Sequence, residues 1–247
     1  MNFFAQHRDL SNLPNADFEF HFRRLRPLVD TLANRDKMLT EWYLQGNSVE
    51  EALQHRVYGD DHQPCQETIN KLTSEYQGES PDDPKVIGIW NGAKLEKDGA
   101  SFMIDIDGGN ALPQQFNIDI AEQGNGLSRL GDYRSVAQVV SMVVSTYNSF
   151  YVMYGPRKYF SNMVFQDRPG VSWMLYLPHV LTANEVPEAR ALIPVGNGSN
   201  GSDQKGTIIV SVTDQVFDVT NQEHIKMAND IEIRLADQDL LPRFVDL

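Results

Sequence analysis

The feature that most constrains the fold of this 247-residue chain is a pair of matching segments. Phe102-Met103-Ile104-Asp105-Ile106 and Phe116-Asn117-Ile118-Asp119-Ile120 both alternate apolar and polar residues. Successive side chains of a strand point to opposite faces, so the Phe and Ile residues share one face and the Asp takes the other. Gly108-Gly109-Asn110 between the segments fits a hairpin loop. The pattern predicts an antiparallel pair, residues 101–107 and 115–121, with an apolar inner face and an acidic outer face.

The other periodic segments supply strands and helices that do not alternate along the chain. Further strands are predicted at 18–22, 86–90, 162–167, 171–177 and 207–212, and helices at 25–44, 48–58, 65–76, 134–150 and 221–240. The helix from Ser48 is predicted to begin with a capping box. In this motif the Ser48 side chain accepts the backbone N–H of Glu51, and the Glu51 side chain accepts the backbone N–H of Ser48. We therefore predict an α+β fold, a mainly antiparallel sheet of about seven strands packed with about five helices. One domain is expected over 1–247, with a possible internal boundary at the turn-rich segment 78–84.

The charge balance limits the classes of molecule that the protein is expected to bind. With 34 acidic and 21 basic residues the formal charge is −13, and the sequence pI is about 4.8. Residues 61–123 alone hold 12 acidic and 4 basic side chains. A nucleic-acid binder needs a positive footprint on phosphate, so direct nucleic-acid binding is not expected. A basic protein partner, including a basic enzyme that binds nucleic acid, remains compatible with this charge.

Cysteine usage and hydropathy indicate the compartment. Cys65 is the single cysteine, which excludes an internal disulfide and a cysteine-based zinc or iron–sulfur site. The start, MNFFAQHRDLSNLP, lacks the pattern of a signal peptide. The most apolar stretch, 136–154, is interrupted by polar residues and is too polar to cross a bilayer. These features predict a soluble cytoplasmic protein without a membrane partner.

Few patterns in the sequence are typical of catalysis. Asp105, Asp107 and Asp119 could hold a hard cation, as a metal-dependent hydrolase would require, but an outward acidic stripe is the simpler interpretation. Gly196-Asn197-Gly198-Ser199-Asn200-Gly201 matches a dinucleotide-binding pattern, yet a strand rather than a helix follows it, so we interpret it as a hairpin loop. The histidines form no HxH or HExxH pair, and no GxSxG is present. Catalytic residues, metal and cofactor are therefore not predicted, and Trp42, Trp90 and Trp173 are expected in the core.

Several short motifs occur in a characteristic order. They are Glu41-Trp42-Tyr43-Leu44-Gln45-Gly46 with Ser48-Val49-Glu50-Glu51-Ala52-Leu53, then Ile89-Trp90-Asn91-Gly92, then Gly206-Thr207-Ile208-Ile209-Val210-Ser211, Glu223-His224, Ile231-Glu232-Ile233-Arg234-Leu235 and Leu240-Leu241-Pro242. In this order they resemble the bacterial immunity proteins of family fifty-two, over roughly 25–242. That family consists of α+β proteins encoded beside polymorphic toxins. The toxins are often restriction-endonuclease-like nucleases, and some are delivered by type VI secretion.

The resemblance implies a non-enzymatic function with a protein partner. We expect an immunity protein that binds a cognate nuclease toxin, with no small-molecule substrate. Asp105, Asp107, Asp119 and Glu122, on or next to the predicted acidic face, are the expected partner-binding residues. Whether they would occlude the active site or block toxin assembly stays open. A metal-dependent hydrolase and an adaptor or chaperone for a secreted effector are the alternatives.

Overall fold

The computed structural model describes residues 1–9, 17–80, 83–106, 113–122, 126–196 and 203–247. The α-helices are α1 (Phe18–Ala33), α2 (Val49–Ala52), α3 (Gln66–Glu75), α4 (Tyr133–Tyr147) and α5 (Gln222–Asp237). The strands are β1 (Asn2–His7), β2 (Tyr43–Leu44), β3 (Lys85–Trp90), β4 (Ala100–Ile106), β5 (Gln114–Ile120), β6 (Tyr151–Gly155), β7 (Met174–Leu177), β8 (Ala191–Gly196) and β9 (Gln204–Val210). Short 3-10 helices cover Lys37–Leu39, Glu96–Asp98, Arg157–Asn162 and Phe244–Asp246.

The strands form one antiparallel sheet in the order β2-β3-β4-β5-β1-β6-β7-β9-β8. The α+β prediction with a mainly antiparallel sheet is confirmed, but the sheet has nine strands rather than about seven. With the 3-10 turns, the helical segments exceed the predicted five. The single-domain prediction, with its possible boundary at 78–84, stays a prediction.

Strand β1 was missed although it lies inside the sheet. It pairs with β5 on one side and with β6 on the other, and Phe3 and Ala5 are fully buried. The third inward position holds His7, a polar residue. The alternation of apolar and polar residues is therefore too short for the sequence pattern to indicate a strand. Strands β2, β6 and β8 were also missed.

The strand predicted at 18–22 is wrong, because these residues begin α1. The carboxylate of Asp17 caps the helix by accepting the backbone N–H of Phe20 at 2.9 Å. Phe18 and Phe22 are buried at a spacing of one helical turn and continue the stripe of Leu25. His21 is buried as well, and positions 18, 21, 22 and 25 share one face of a helix but not of a strand. The aromatic residues of this segment therefore belong to a helical face.

Two helix boundaries and one further strand differ from the prediction. The helix predicted over 25–44 ends at Ala33, and Tyr43–Leu44 instead pairs with β3 at the sheet edge. The helix from Ser48 is capped as predicted, with Glu51 N–H donating to Ser48 Oγ at 3.1 Å, but it ends at Ala52 rather than reaching 58. Residues 163–173 are irregular, so the strand predicted at 162–167 is wrong.

The predicted antiparallel pair is confirmed as β4 and β5, whereas the loop predicted at Gly108-Gly109-Asn110 lies outside the described residues. In β4 and β5 the Phe and Ile residues of both segments are at most 2% exposed. Helix α4 packs against this face through Tyr147, whose ring is centred 4.3 Å from that of Phe116. Asp132 caps the start of α4 and the left-handed Asn148 follows its end. Helix α1 packs beside α4 on this inner face of the sheet.

Candidate functional site

The outer face of β3, β4, β5 and β1 is built from three cross-strand rows of side chains. Antiparallel register places Gly88, Met103, Asn117 and Phe4 in the middle row; Trp90, Ser101, Asp119 and Asn2 in a second row; and Val86 opposite Asp105, with Gln115 opposite Gln6, in a third. These are the positions that alternate with the buried inner face. We call this set of side chains the outer sheet face.

Two apolar side chains of the outer sheet face are accessible to solvent. Met103 is 44% exposed, and Val86 on the adjacent strand is 45% exposed. At the β1 border, Phe4 is half-buried and packs edge-on against Phe160, with 6.3 Å between ring centroids. An exposed apolar surface with polar residues around it is typical of a protein–protein contact.

Asp105 lies within this face without a cation beside it. The carboxyl is half-buried, and burial raises its pKa, opposed only in part by a backbone hydrogen bond from Gln115. Among the described residues, no ion pair includes Asp105. The undescribed segments contain no Lys, Arg or His. Within the described residues, the charge of this carboxylate therefore has no counter-charge.

Asp119 lies at the opposite end of the outer sheet face. Phe102 of β4 pairs with Ile118 of β5, so the two matching segments run in opposite directions and their aspartates separate. On β5, Asp119 is four residues from Gln115, the residue opposite Asp105, which is about 13 Å along a strand. Two carboxylates that share a cation must approach within about 5 Å, so Asp105 and Asp119 could not hold one cation together, as the metal-dependent hydrolase alternative would require.

The charge of Asp119 is already paired. Arg157 donates to both of its carboxylate oxygens, with 2.6 Å between Nε and Oδ1. Asn2 Nδ2 donates to Oδ1 at 3.1 Å from the neighbouring strand. Arg157 lies 38 residues from Asp119 in sequence, so no local pattern signalled this partner.

The other two predicted contact residues have different positions. Glu122 accepts a hydrogen bond from Ser128 Oγ and another from the N–H of Arg129, each at 2.9 Å. Asp107 lies outside the described residues. Of the three described carboxylates, Asp119 has an ion pair and Glu122 has two hydrogen bonds, whereas Asp105 has a backbone hydrogen bond from Gln115 and no ion pair.

An open groove of about 630 Å³ borders the Asp119 end of the outer sheet face. Trp90 and the exposed Leu95 line it together with the Asp119–Arg157 pair. Asn91 orders the adjoining loop by accepting the N–H of Ala100 at 2.8 Å. Trp42 and Trp173 are buried as predicted, but Trp90 is only half-buried and faces this groove.

The described segments show no metal-ligand cluster of three His, Cys, Asp or Glu residues. In the same segments, no helix has the length and hydropathy needed to cross a membrane. Of the glycine-rich segment 196–201, only Gly196 is described. The strands on either side, β8 and β9, pair antiparallel, as a hairpin requires.

Comparison with known proteins gives the family. No curated protein sequence matches the chain. Among solved structures, the Pseudomonas aeruginosa T6SS protein PA0821 is similar in fold, with a TM-score of 0.50 and 12% identity. The alignment covers 99% of this chain and 86% of that one. The model of the family Immunity protein 52 matches residues 17–243, and the chain therefore belongs to the Immunity protein 52 family.

Proposed function

We propose that this chain neutralises a cognate antibacterial toxin by binding it, and that it has no catalytic activity of its own. The observation that carries the proposal is the family match over residues 17–243. The exposed Met103 and Val86 of the outer sheet face support it, because inhibition by binding requires accessible side chains that can contact the toxin.

The toxin that best suits this chain is a basic nuclease of the restriction-endonuclease-like class. A nuclease is positively charged where it holds phosphate, and a formal charge of −13 is complementary to it. Complementary charge raises association rates by about 10–10³-fold, which favours capture before cleavage begins. The name of the similar P. aeruginosa structure, a T6SS protein, supports delivery of the toxin by type VI secretion.

The partner-binding residues proposed from the sequence are Asp105, Asp107, Asp119 and Glu122, with Asp105 foremost because its charge has no counter-charge within the described residues. The inhibitor acts in the cytoplasm, where an incoming nuclease meets nucleic acid. Direct nucleic-acid binding, a membrane partner and a small-molecule substrate are not part of the proposal.

Co-expression and a purified assay test this function. Cells that express the toxin encoded by the adjacent gene should survive only when this chain is co-expressed. Purified chain should bind that toxin and suppress its cleavage of plasmid DNA at equimolar concentration. A chain that neither binds the toxin nor protects the DNA would overturn the proposal. Suppression that needs only catalytic amounts of the chain would show an enzyme instead.

A further inference from the structure

We propose that the outer sheet face is the toxin-binding surface, with Met103 as its apolar anchor and Asp105 as the site that receives a cationic side chain of the toxin. This inference rests on the proposed function and adds the surface and the chemistry of the contact. The occupant is a protein surface that presents an arginine or lysine among apolar residues.

The apolar part of the argument is the exposure of a strand that lies inside the sheet. Met103 belongs to β4, which is hydrogen-bonded on both sides, so its exposure does not come from an edge position. The 3-10 helix Arg157–Asn162 covers the border of the face where Phe160 meets Phe4, and it leaves Met103 and Val86 open. Methionine and aromatic residues are enriched in the centres of protein interfaces.

The electrostatic part of the argument is the contrast between the two aspartates. Asp119 has Arg157 within its own chain, whereas Asp105 is half-buried beside Val86 with no ion pair in the described part of the chain. A carboxylate partly removed from water gains when an opposite charge approaches it. Arginine suits this position, since its guanidinium is weakly hydrated and tolerates apolar neighbours.

The two ends of the outer sheet face make different kinds of contact with the toxin. At the Asp105 end a toxin cation fills an open electrostatic position. At the Asp119 end the groove beside Trp90 and Leu95 receives apolar or neutral toxin groups, because Arg157 already balances the carboxylate there. The outer sheet face is therefore complementary to a partner surface that is positively charged at one end and apolar at the other.

Hydroxyl-radical footprinting tests the surface without any substitution. Met103 and Met38 are 44% and 46% exposed, so radicals should oxidise both to the sulfoxide at similar rates in the free chain. In the complex with the toxin, oxidation of Met103 should slow several-fold while that of Met38 stays unchanged. An unprotected Met103 in a saturated complex would overturn the inference.

Variants test the chemistry by surface plasmon resonance at two salt concentrations. Asp105→Lys should weaken toxin binding by about 30-fold or more, through faster dissociation as the ion pair is lost and through slower association with a flatter salt dependence. Met103→Ala should weaken it mainly through faster dissociation. The control Asp237→Lys makes the same charge reversal at an exposed position of α5 and should leave affinity nearly unchanged. Thermal unfolding confirms that each variant is folded.

The outcomes separate this inference from the function it rests on. If wild-type chain binds the toxin and Asp237→Lys alone weakens binding, the interface lies on α5 and the inference fails while the proposed function stands. If wild-type chain does not bind the toxin, the proposed function fails first.

Discussion

Replacing Glu232 should destabilise the protein far more than replacing an exposed carboxylate of the same helix. Glu232 lies on α5 and is only 1% exposed. Its oxygens accept from the Tyr159 hydroxyl at 2.6 Å, the N–H of Val164 at 2.8 Å and the N–H of Val171 at 2.9 Å. One carboxylate thus fastens the irregular segment 163–173 to the helix.

The size of the effect follows from those partners. Glu232→Ala removes the acceptor of two backbone N–H groups, and an unsatisfied buried donor costs about 1–3 kcal/mol. The free energy of unfolding should therefore fall by about 2–6 kcal/mol, with Tm falling by roughly 2–4 °C per kcal/mol in a chain of this size. Asp237→Ala, at an exposed position of the same helix, should change stability by less than about 0.5 kcal/mol.

The variant Glu232→Gln isolates the charge. Burial raises the pKa of Glu232 above its usual 4.5, and the three hydrogen bonds lower it only in part. A raised pKa in the folded state favours folding below the unfolded pKa, and this contribution is lost as pH rises through the folded value. The free energy of unfolding measured with urea should therefore fall for the wild type, relative to Glu232→Gln, as pH increases above about 4.5. A loss below 1 kcal/mol in Glu232→Ala, or identical pH profiles, would refute the reasoning.

Three further predictions concern local features. Ser48→Ala should cost about 0.5–2 kcal/mol in chemical unfolding without changing toxin affinity, because only the amide of Glu51 loses its cap. Burial lowers the pKa of His7 from 6.5 to about 4, so its contribution to stability is present above pH 6.5 and is lost as pH falls through 4. Between pH 6.5 and 4, the free energy of unfolding of the wild type should fall by about 3 kcal/mol more than that of His7→Leu. Urea titration at each pH measures this difference. Gly92→Ala should lower Tm, since the backbone is left-handed there and a Cβ would lie 2.8 Å from the ring of Tyr43; an unchanged Tm would contradict the strain.

The candidate site was only partly accessible from the sequence. The outward direction of Asp105 and Asp119 followed from alternation, and the structure places both on the outer sheet face. Their separation did not follow, because it depends on the direction in which two matching segments pair. Glu232 was visible in the sequence as a carboxylate next to the apolar stripe of α5, yet its role depends on Tyr159 and on backbone groups about 60–70 residues away.

The sequence by itself determined the elements whose burial is periodic over one segment: the antiparallel pair of β4 and β5, helices α4 and α5, and the cap at Ser48. Such patterns report which face of a single element leaves water. Only the tertiary structure decided that β1 lies between β5 and β6, that 18–22 is helical, and that Asp119 meets Arg157. Strand order and ion pairing join residues far apart along the chain. Their energies depend on contacts that form only in the folded state.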